Sequence, residues 1–183
     1  MTIDRPIFVV APHRSGATLV MKALARHPEV ACLRLAHHRF GAWPTLAHHL
    51  ARLRWFAQPH EAQHFWDHHL AGDDDALFPD ARFVHVRRDW RAVVSSTVVR
   101  REKRAGSGGG WFGVRIPGWR ELESQSHTRI AARIFRVVTR SIEAEQQRRP
   151  GRFVAIDYAE LCRDPVAGWT TLAERLELRV DAA

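Results

Sequence analysis

Ile7-Phe8-Val9-Val10-Ala11-Pro12-His13-Arg14-Ser15-Gly16-Ala17-Thr18 reads as a buried strand that runs into a tight turn and then a helix. Ile7 to Val10 is an unbroken apolar run rich in β-branched residues, the pattern of a parallel strand covered on both faces. Pro12 ends the strand, Gly16 lets the backbone turn sharply and come close to a ligand, and Thr18 opens the helix. A helix that begins at such a turn directs unpaired N–H groups and the positive end of its dipole into the loop, so an anion is expected there. A nucleotide-hydrolysing Walker loop requires a first Gly and a later Gly-Lys-Ser/Thr. Ala11 stands at the first Gly and Ala17 at the lysine, and the basic side chain is Arg14, ahead of Gly16. The ATP- or GTP-hydrolysing reading is thereby removed.

Two further segments repeat the strand-then-helix pattern. Phe83-Val84-His85-Val86 is a second buried-strand run, followed by Arg87-Arg88-Asp89-Trp90-Arg91-Ala92-Val93-Val94-Ser95-Ser96. The reading places Arg88 at the strand end, makes Asp89 the cap of a helix starting near Trp90, and puts Ala92, Val93, Thr97 and Val98 on one face. Ser96 then lies two turns into that helix. Phe153-Val154-Ala155-Ile156 is a third strand, Asp157-Tyr158-Ala159-Glu160-Leu161 the turn after it, and Asp164-Pro165 a helix start with Asp at the cap and Pro at the first position. That helix continues through Trp169, Leu172, Ala173 and Leu176.

Arg14-Ser15-Gly16-Ala17-Thr18 resembles the 5′-phosphosulfate loop of the sulfotransferase family, usually Arg/Lys-Ser/Thr-Gly-Thr-Thr. Arg88-Asp89-Trp90-Arg91-Ala92-Val93-Val94-Ser95-Ser96 resembles that family's 3′-phosphate site, with Trp90 in place of a proline. The Tyr158 segment and its Asp-Pro helix resemble a third family feature. The resemblance covers residue 7 to about 178. It implies a P-loop-like fold of three α/β/α layers around a short parallel sheet. It also implies 3′-phosphoadenosine 5′-phosphosulfate (PAPS) as donor, no metal, and transfer of a sulfuryl group to a hydroxyl or amine. Carried over by position, Arg14 contacts the bridging oxygen and the sulfuryl group. The backbone N–H groups of Ser15, Gly16, Ala17 and Thr18, with the Thr18 hydroxyl, hold the 5′-phosphate. Arg88 and Ser96 share the 3′-phosphate, and Tyr158, the chain's single tyrosine, lies near the adenine. Family members continue past the Tyr158 segment with a basic, glycine-containing loop over the 3′-phosphate, whereas this sequence ends at Ala183. Either Arg87, Arg91 and the glycine-rich stretch take over that contact, or donor binding is weak, or the chain is a shortened relative.

Between the first two strands, residues 45 to 57 and 59 to 70 read as amphipathic helices, with Leu46, Leu50, Leu53 and Phe56 on one face. The family places acceptor-binding helices and a catalytic base in this interval. An alcohol must lose its proton as it attacks sulfur, and histidine titrates closest to neutral pH. His68 is the expected base, with His69 as second choice. A rival lies in the same interval: His60-Glu61-Ala62-Gln63-His64 satisfies His-Glu-x-x-His, two imidazoles on one helical face with a glutamate to activate zinc-bound water. It supports a zinc-dependent hydrolase as an alternative. A relative that binds nucleotide without catalysing transfer is another.

Composition fits a polyanionic ligand. The chain has 183 residues and a formal charge of +8, carried almost wholly by arginine because Lys22 and Lys103 are the only lysines. The basic residues are scattered, without aromatic alternation, zinc-finger spacing or a basic tail, so no nucleic-acid partner is expected. A small-molecule or glycan acceptor is. The length suits one domain over 1–183. Cys32 and Cys162 are too few for a disulfide framework, and no apolar stretch is long enough for a signal peptide or membrane span, which points to the cytoplasm. Oligomeric state and acceptor identity are not legible. Residues 105 to 119 form a glycine-rich loop whose Trp111, Phe112 and Trp119 either border an acceptor cleft, as its resemblance to Trp-Gly…Pro-Gly-Trp segments of bacterial sulfotransferases implies, or plug the core. A helix is expected over 121 to 147, with Ile130, Ile134, Val137 or Val138 and Ile142 on its buried side.

Overall fold

The computed structural model describes residues 5–30 and 79–180. The expected helices at 45–57 and 59–70, His68 and His69, the His60–His64 motif and Cys32 lie outside the described residues. The elements run β1 (Ile7–Val10), α1 (Ala17–Leu24), β2 (Arg82–Arg87), α2 (Trp90–Gly106), α3 (His127–Arg148), β3 (Phe153–Asp157), α4 (Tyr158–Arg163) and α5 (Pro165–Arg175). The chain divides into two compact units interleaved in sequence, Met1–Pro6 with Thr18–Ala81 and Ile7–Ala17 with Arg82–Ala183.

In the second unit the three strands form one parallel sheet in the order β1-β2-β3, the short parallel sheet of an α/β fold. Phe8, Phe83 and Phe153 occupy one register position across it and stack at ring-centroid distances of 5.5 and 4.7 Å. His85 lies on the same face two residues along, where Glu143 and Gln146 of α3 approach it. The opposite face carries the buried pairs Val84 with Val154 and Val86 with Ile156. Arg82, on that face, bonds Glu177 just beyond α5 at 2.7 Å. Different helices thus cover the two faces, as the uninterrupted apolar strands require.

The helix starts follow capping chemistry. Asp89 accepts the Ala92 N–H at 3.0 Å, Asp157 those of Ala159 and Glu160 at 2.8 and 3.2 Å, and Asp164 that of Ala167 at 3.0 Å, with Pro165 at the first helical position. Each carboxylate satisfies orphan amides and opposes the positive helix end. Because Asp89 also sets where α2 leaves the sheet, Asp89→Ala is expected to cost about 1 kcal/mol. For a chain of this size that is a fall in Tm of roughly 2–4 °C, read by thermal denaturation.

Asp157 to Leu161, expected as a turn, is instead the cap and first residues of helix α4, α1 starts at Ala17 and not at Thr18, and three other boundaries differ from expectation. Arg87, not Arg88, is the last residue of β2, which frees the Arg88 side chain from the sheet's alternation. α2 runs through Gly106, so the glycine-rich segment starts at Ser107. α3 begins at His127, six residues after the expected 121, because Ser126 caps it and 117–124 form consecutive turns. The apolar residues of that stretch are still used: Trp111, Trp119 and Leu122 pack on a cluster of Ile116, Ile130 and Ile134. Two of the three loop aromatics therefore fill core.

Candidate active site

The turn after β1 closes with the Ser15 N–H donating to the Pro12 carbonyl at 3.2 Å. Gly16 follows at φ +101° and Arg14 precedes it at φ +69°, a left-handed conformation that costs a non-glycine residue about 1 kcal/mol. α1 then starts at Ala17, so the first-turn amides face the loop. What Ser15 offers a ligand is its hydroxyl, because its amide is already engaged; Oγ is buried and unpartnered among the described residues. A buried hydroxyl without a partner points to one that arrives with a ligand.

The second junction meets the first. Arg14 Nε donates to Ser96 Oγ at 3.0 Å, and Arg88 Nη1 donates to the Arg14 carbonyl at 3.0 Å. The Arg88 guanidinium lies over the Tyr158 ring, 4.5 Å from its centroid. Tyr158 in turn closes against Gly16, where an added Cβ would stand 2.2 Å from Tyr158 Cδ2. Arg14, Ser15, Gly16, Arg88, Ser96 and Tyr158 are thus brought together around one loop. Ala17 begins the adjoining helix, and Thr18, next along the chain, belongs to the other unit.

Among the described residues neither Arg14 nor Arg88 has a carboxylate partner. Asp89, next to Arg88 in sequence, and Asp157, next to Tyr158, are turned back to cap helices. Two guanidinium groups held only by a hydroxyl, a carbonyl and an aromatic face leave their charge for an anion. Arg91 lies over Trp90 at 4.6 Å from the ring centroid, and Arg87 is exposed at the strand end. The Tyr158 hydroxyl is held above its ordinary pKa chiefly by hydrogen bonding to Cys162 one turn on, against an opposing pull from Arg88. It is a neutral phenol at physiological pH.

Two residues of this region escaped the sequence. His13 is placed edge-on to Phe112, with ring centroids 5.6 Å apart, and both its nitrogens are buried without partners among the described residues. Gly113 approaches so closely that a Cβ there would lie 3.1 Å from His13 Cε1. Arg101 is buried, donates to the Phe112 carbonyl and covers Trp111 at 4.4 Å from the ring centroid. The glycine-rich segment is therefore pinned between α2 and the phosphate loop. A signal for Arg101 existed: it continues the four-residue row of Val93 and Thr97, all three buried. For His13 there was none, because twelve histidines in the chain share its residue type and only tertiary contacts bury this one.

Burial, reinforced by Arg101 and then Arg14, pushes the His13 pKa below its usual value. His85 is lowered by burial and then Arg87, with Glu143 and Gln146 pulling the other way. Both imidazoles are neutral in the folded chain. Below the unfolded pKa of about 6.5 the unfolded state takes up protons that the native state refuses, so stability falls with pH until the folded pKa is passed. Tm is expected to drop as pH is lowered from about 7.5 to about 5.5. A Tm rising over that interval would contradict neutral burial.

With this geometry established, comparison with known proteins places the fold. The curacin-pathway sulfotransferase domain superposes with a TM-score of 0.57 at 16% identity, covering 99% of this chain and 76% of its own. A sulfotransferase of Mycobacterium tuberculosis, STF1, gives 0.68 at 14% identity, covering 98% and 69%. One from Alicyclobacillus acidocaldarius gives 0.57 at 15%, covering 99% and 84%. Such low identities establish the α/β fold of these enzymes. No curated protein sequence matches the chain. The family itself comes from sequence: the sulfotransferase family model matches residues 37–182, and the chain belongs to the sulfotransferase family. It is a transferase enzyme of that family. The match begins after the phosphate loop, so the reading of 7–18 rests on its own residues and geometry. Among the described residues there is no group of three metal-ligating side chains and no helix long and apolar enough to cross a membrane.

Proposed function

We propose that this sulfotransferase takes its sulfuryl group from PAPS and passes it, without a metal, to a hydroxyl or amine of a small-molecule or glycan acceptor. The observation that carries the reading is the junction of Arg14, Ser96 and Arg88, which supports one ligand with phosphates at two ends. Bound there, PAPS supplies a sulfuryl group on a phosphate leaving group. Arg14 neutralises charge developing on the bridging oxygen. The Ser15 hydroxyl and the amides of Gly16, Ala17 and Thr18 hold the 5′-phosphate, with the Thr18 hydroxyl beside them. Arg88 and Ser96 take the 3′-phosphate, and the Tyr158 ring borders the adenine. The Arg14–Ser96 bond is a neutral placeholder, since a guanidinium binds phosphate oxygens more strongly than a hydroxyl. His68, or His69 beside it, receives the acceptor proton.

The family match runs across both compact units, which supports one sulfotransferase domain over 1–183. A free, exposed Cys162 suits the reducing cytoplasm. The direct test is to incubate the protein with sulfur-labelled PAPS and a panel of hydroxyl and amine acceptors. Label is expected on an acceptor, with one adenosine 3′,5′-bisphosphate released per transfer. Bisphosphate binding without transfer to any acceptor class would instead mark a non-catalytic relative.

A further inference from the structure

Four arginines of α3, Arg129, Arg133, Arg136 and Arg140, follow one another at intervals of four, three and four residues, and all are exposed. At helical pitch they share a strip about 60° wide and about 16 Å long. It lies away from the face that buries Ile130, Ala131, Ile134 and Ile142. None of the four side chains has a hydrogen bond, ion pair or ring contact among the described residues. Other arginines of this unit are engaged: Arg82 with Glu177, Arg148 and Arg149 with Glu145, and Arg115 and Arg120 with the Trp119 ring. Like charges three and four residues apart destabilise a helix, so the strip contributes nothing to the fold that a mixed surface would not supply better.

We propose that this face of α3 is a docking surface for an acidic helix of a protein partner, one whose Asp or Glu side chains repeat at the same four-three-four spacing. A helix presents carboxylates at the axial step of these guanidinium groups, and arginine meets each of them bidentately. The row is narrow, bounded by Ala132 and Glu143 on one side and, on the other, by Ala144 and by Val137, which turns into the core. A helix seated in a duplex groove carries basic residues on both flanks to reach both backbones. A membrane-surface helix pairs its basic face with exposed bulky apolar residues, and none of the exposed large hydrophobics belongs to α3. A single line of cations, with one carboxylate, Glu143, at its C-terminal edge, fits a single line of anions that meets Arg129, Arg133 and Arg136 most closely. The inference is independent of the donor chemistry, because none of these arginines bonds to the phosphate loop among the described residues.

The test uses the full chain and a synthetic helical peptide of about 20 residues with glutamates at the matching spacing. A second peptide has the same composition but its glutamates spread around the helix. Binding is read by fluorescence anisotropy at about 50 mM and about 300 mM salt. The matched peptide is expected to bind about tenfold more tightly than the spread one, with the advantage shrinking at the higher salt. Arg133→Glu with Arg136→Glu should remove that advantage, whereas Lys103→Glu on α2, an equal change of charge per site away from the strip, should leave it. All variants should keep their adenosine 3′,5′-bisphosphate affinity. Equal binding of the two peptides, or an equal loss with Lys103→Glu, would reduce the strip to general basicity and overturn the proposal. Tighter binding of duplex DNA or of a sulfated polysaccharide than of the matched peptide would overturn it as well, in favour of that class of partner.

Discussion

Gly16→Ala is expected to abolish measurable binding of adenosine 3′,5′-bisphosphate, a loss on the order of a hundredfold or more. The residue stands at φ +101°, where a β-carbon is strained in any surroundings. Here there is also no space: the added carbon would lie 2.2 Å from Tyr158 Cδ2, 2.5 Å from Cε2 and 3.2 Å from Cγ. These are ring atoms near the stem of the side chain, not the far end of a flexible one, so either the loop or the whole ring must move. Moving the ring displaces the Arg88 guanidinium stacked on it at 4.5 Å, and one methyl group disturbs both ends of the site. Adding Tyr158→Ala to Gly16→Ala removes the clash but not the strain, and should recover part of the lost affinity. Calorimetry on the two variants, with circular dichroism to confirm folding, separates the contributions.

Arg14→Ala is expected to lower the turnover of sulfuryl transfer by on the order of a hundredfold or more while changing bisphosphate affinity much less. The asymmetry follows from the proposed role. A cation aimed at the bridging oxygen is worth most when charge accumulates there, and the product already carries its charge on phosphates gripped elsewhere. Arg14→Lys should restore only part of the rate, because an ammonium lacks the planar fork and the Nε that bonds Ser96. Arg14 also sits at φ +69°. Arg14→Gly should therefore be more thermally stable than Arg14→Ala, though equally impaired in turnover. Loss of turnover matched by an equal loss of bisphosphate affinity would move Arg14 from transition-state stabilisation to ground-state binding.

The strands and the Asp89 and Asp164 caps were legible because each is written locally, whereas the helix that Asp157 caps was read as a turn. Ile7–Val10, the run beginning at Phe83 and the run beginning at Phe153 are short apolar stretches closed by Pro12, Asp89 and Asp157, and strand length, burial and the following helix come from those residues. The start of α3 was not legible. Trp119 and Leu122 continue the apolar spacing of Ile130 and Ile134, and only the Pro117-Gly118 turn and the Ser126 cap separate a folded-back loop from a helical turn. Arg88 was read one residue inside the strand for a similar reason, since Arg87 and Arg88 are the same residue type at a boundary. In the candidate site, Gly16 was legible from the turn it must make, while Arg14, Arg88 and Ser96 were named through the resemblance to the sulfotransferase phosphate motifs. That Arg14 bonds Ser96, or that Arg88 holds the Arg14 carbonyl, is a fact of tertiary contact between residues 82 and 74 positions apart. His13 and Arg101 were missed because their environment, not their type, makes them unusual: a neutral imidazole and a buried guanidinium, both against Phe112.

Calorimetric titration with adenosine 3′,5′-bisphosphate and adenosine 5′-monophosphate, on the wild-type chain and on Arg88→Ala, tests most directly whether the two junctions hold one doubly phosphorylated nucleotide. The wild type should bind the bisphosphate at least about tenfold more tightly than the monophosphate, as a charge-assisted guanidinium contact implies, and Arg88→Ala should bind both alike. Equal affinity of the wild type for the two nucleotides would contradict the account.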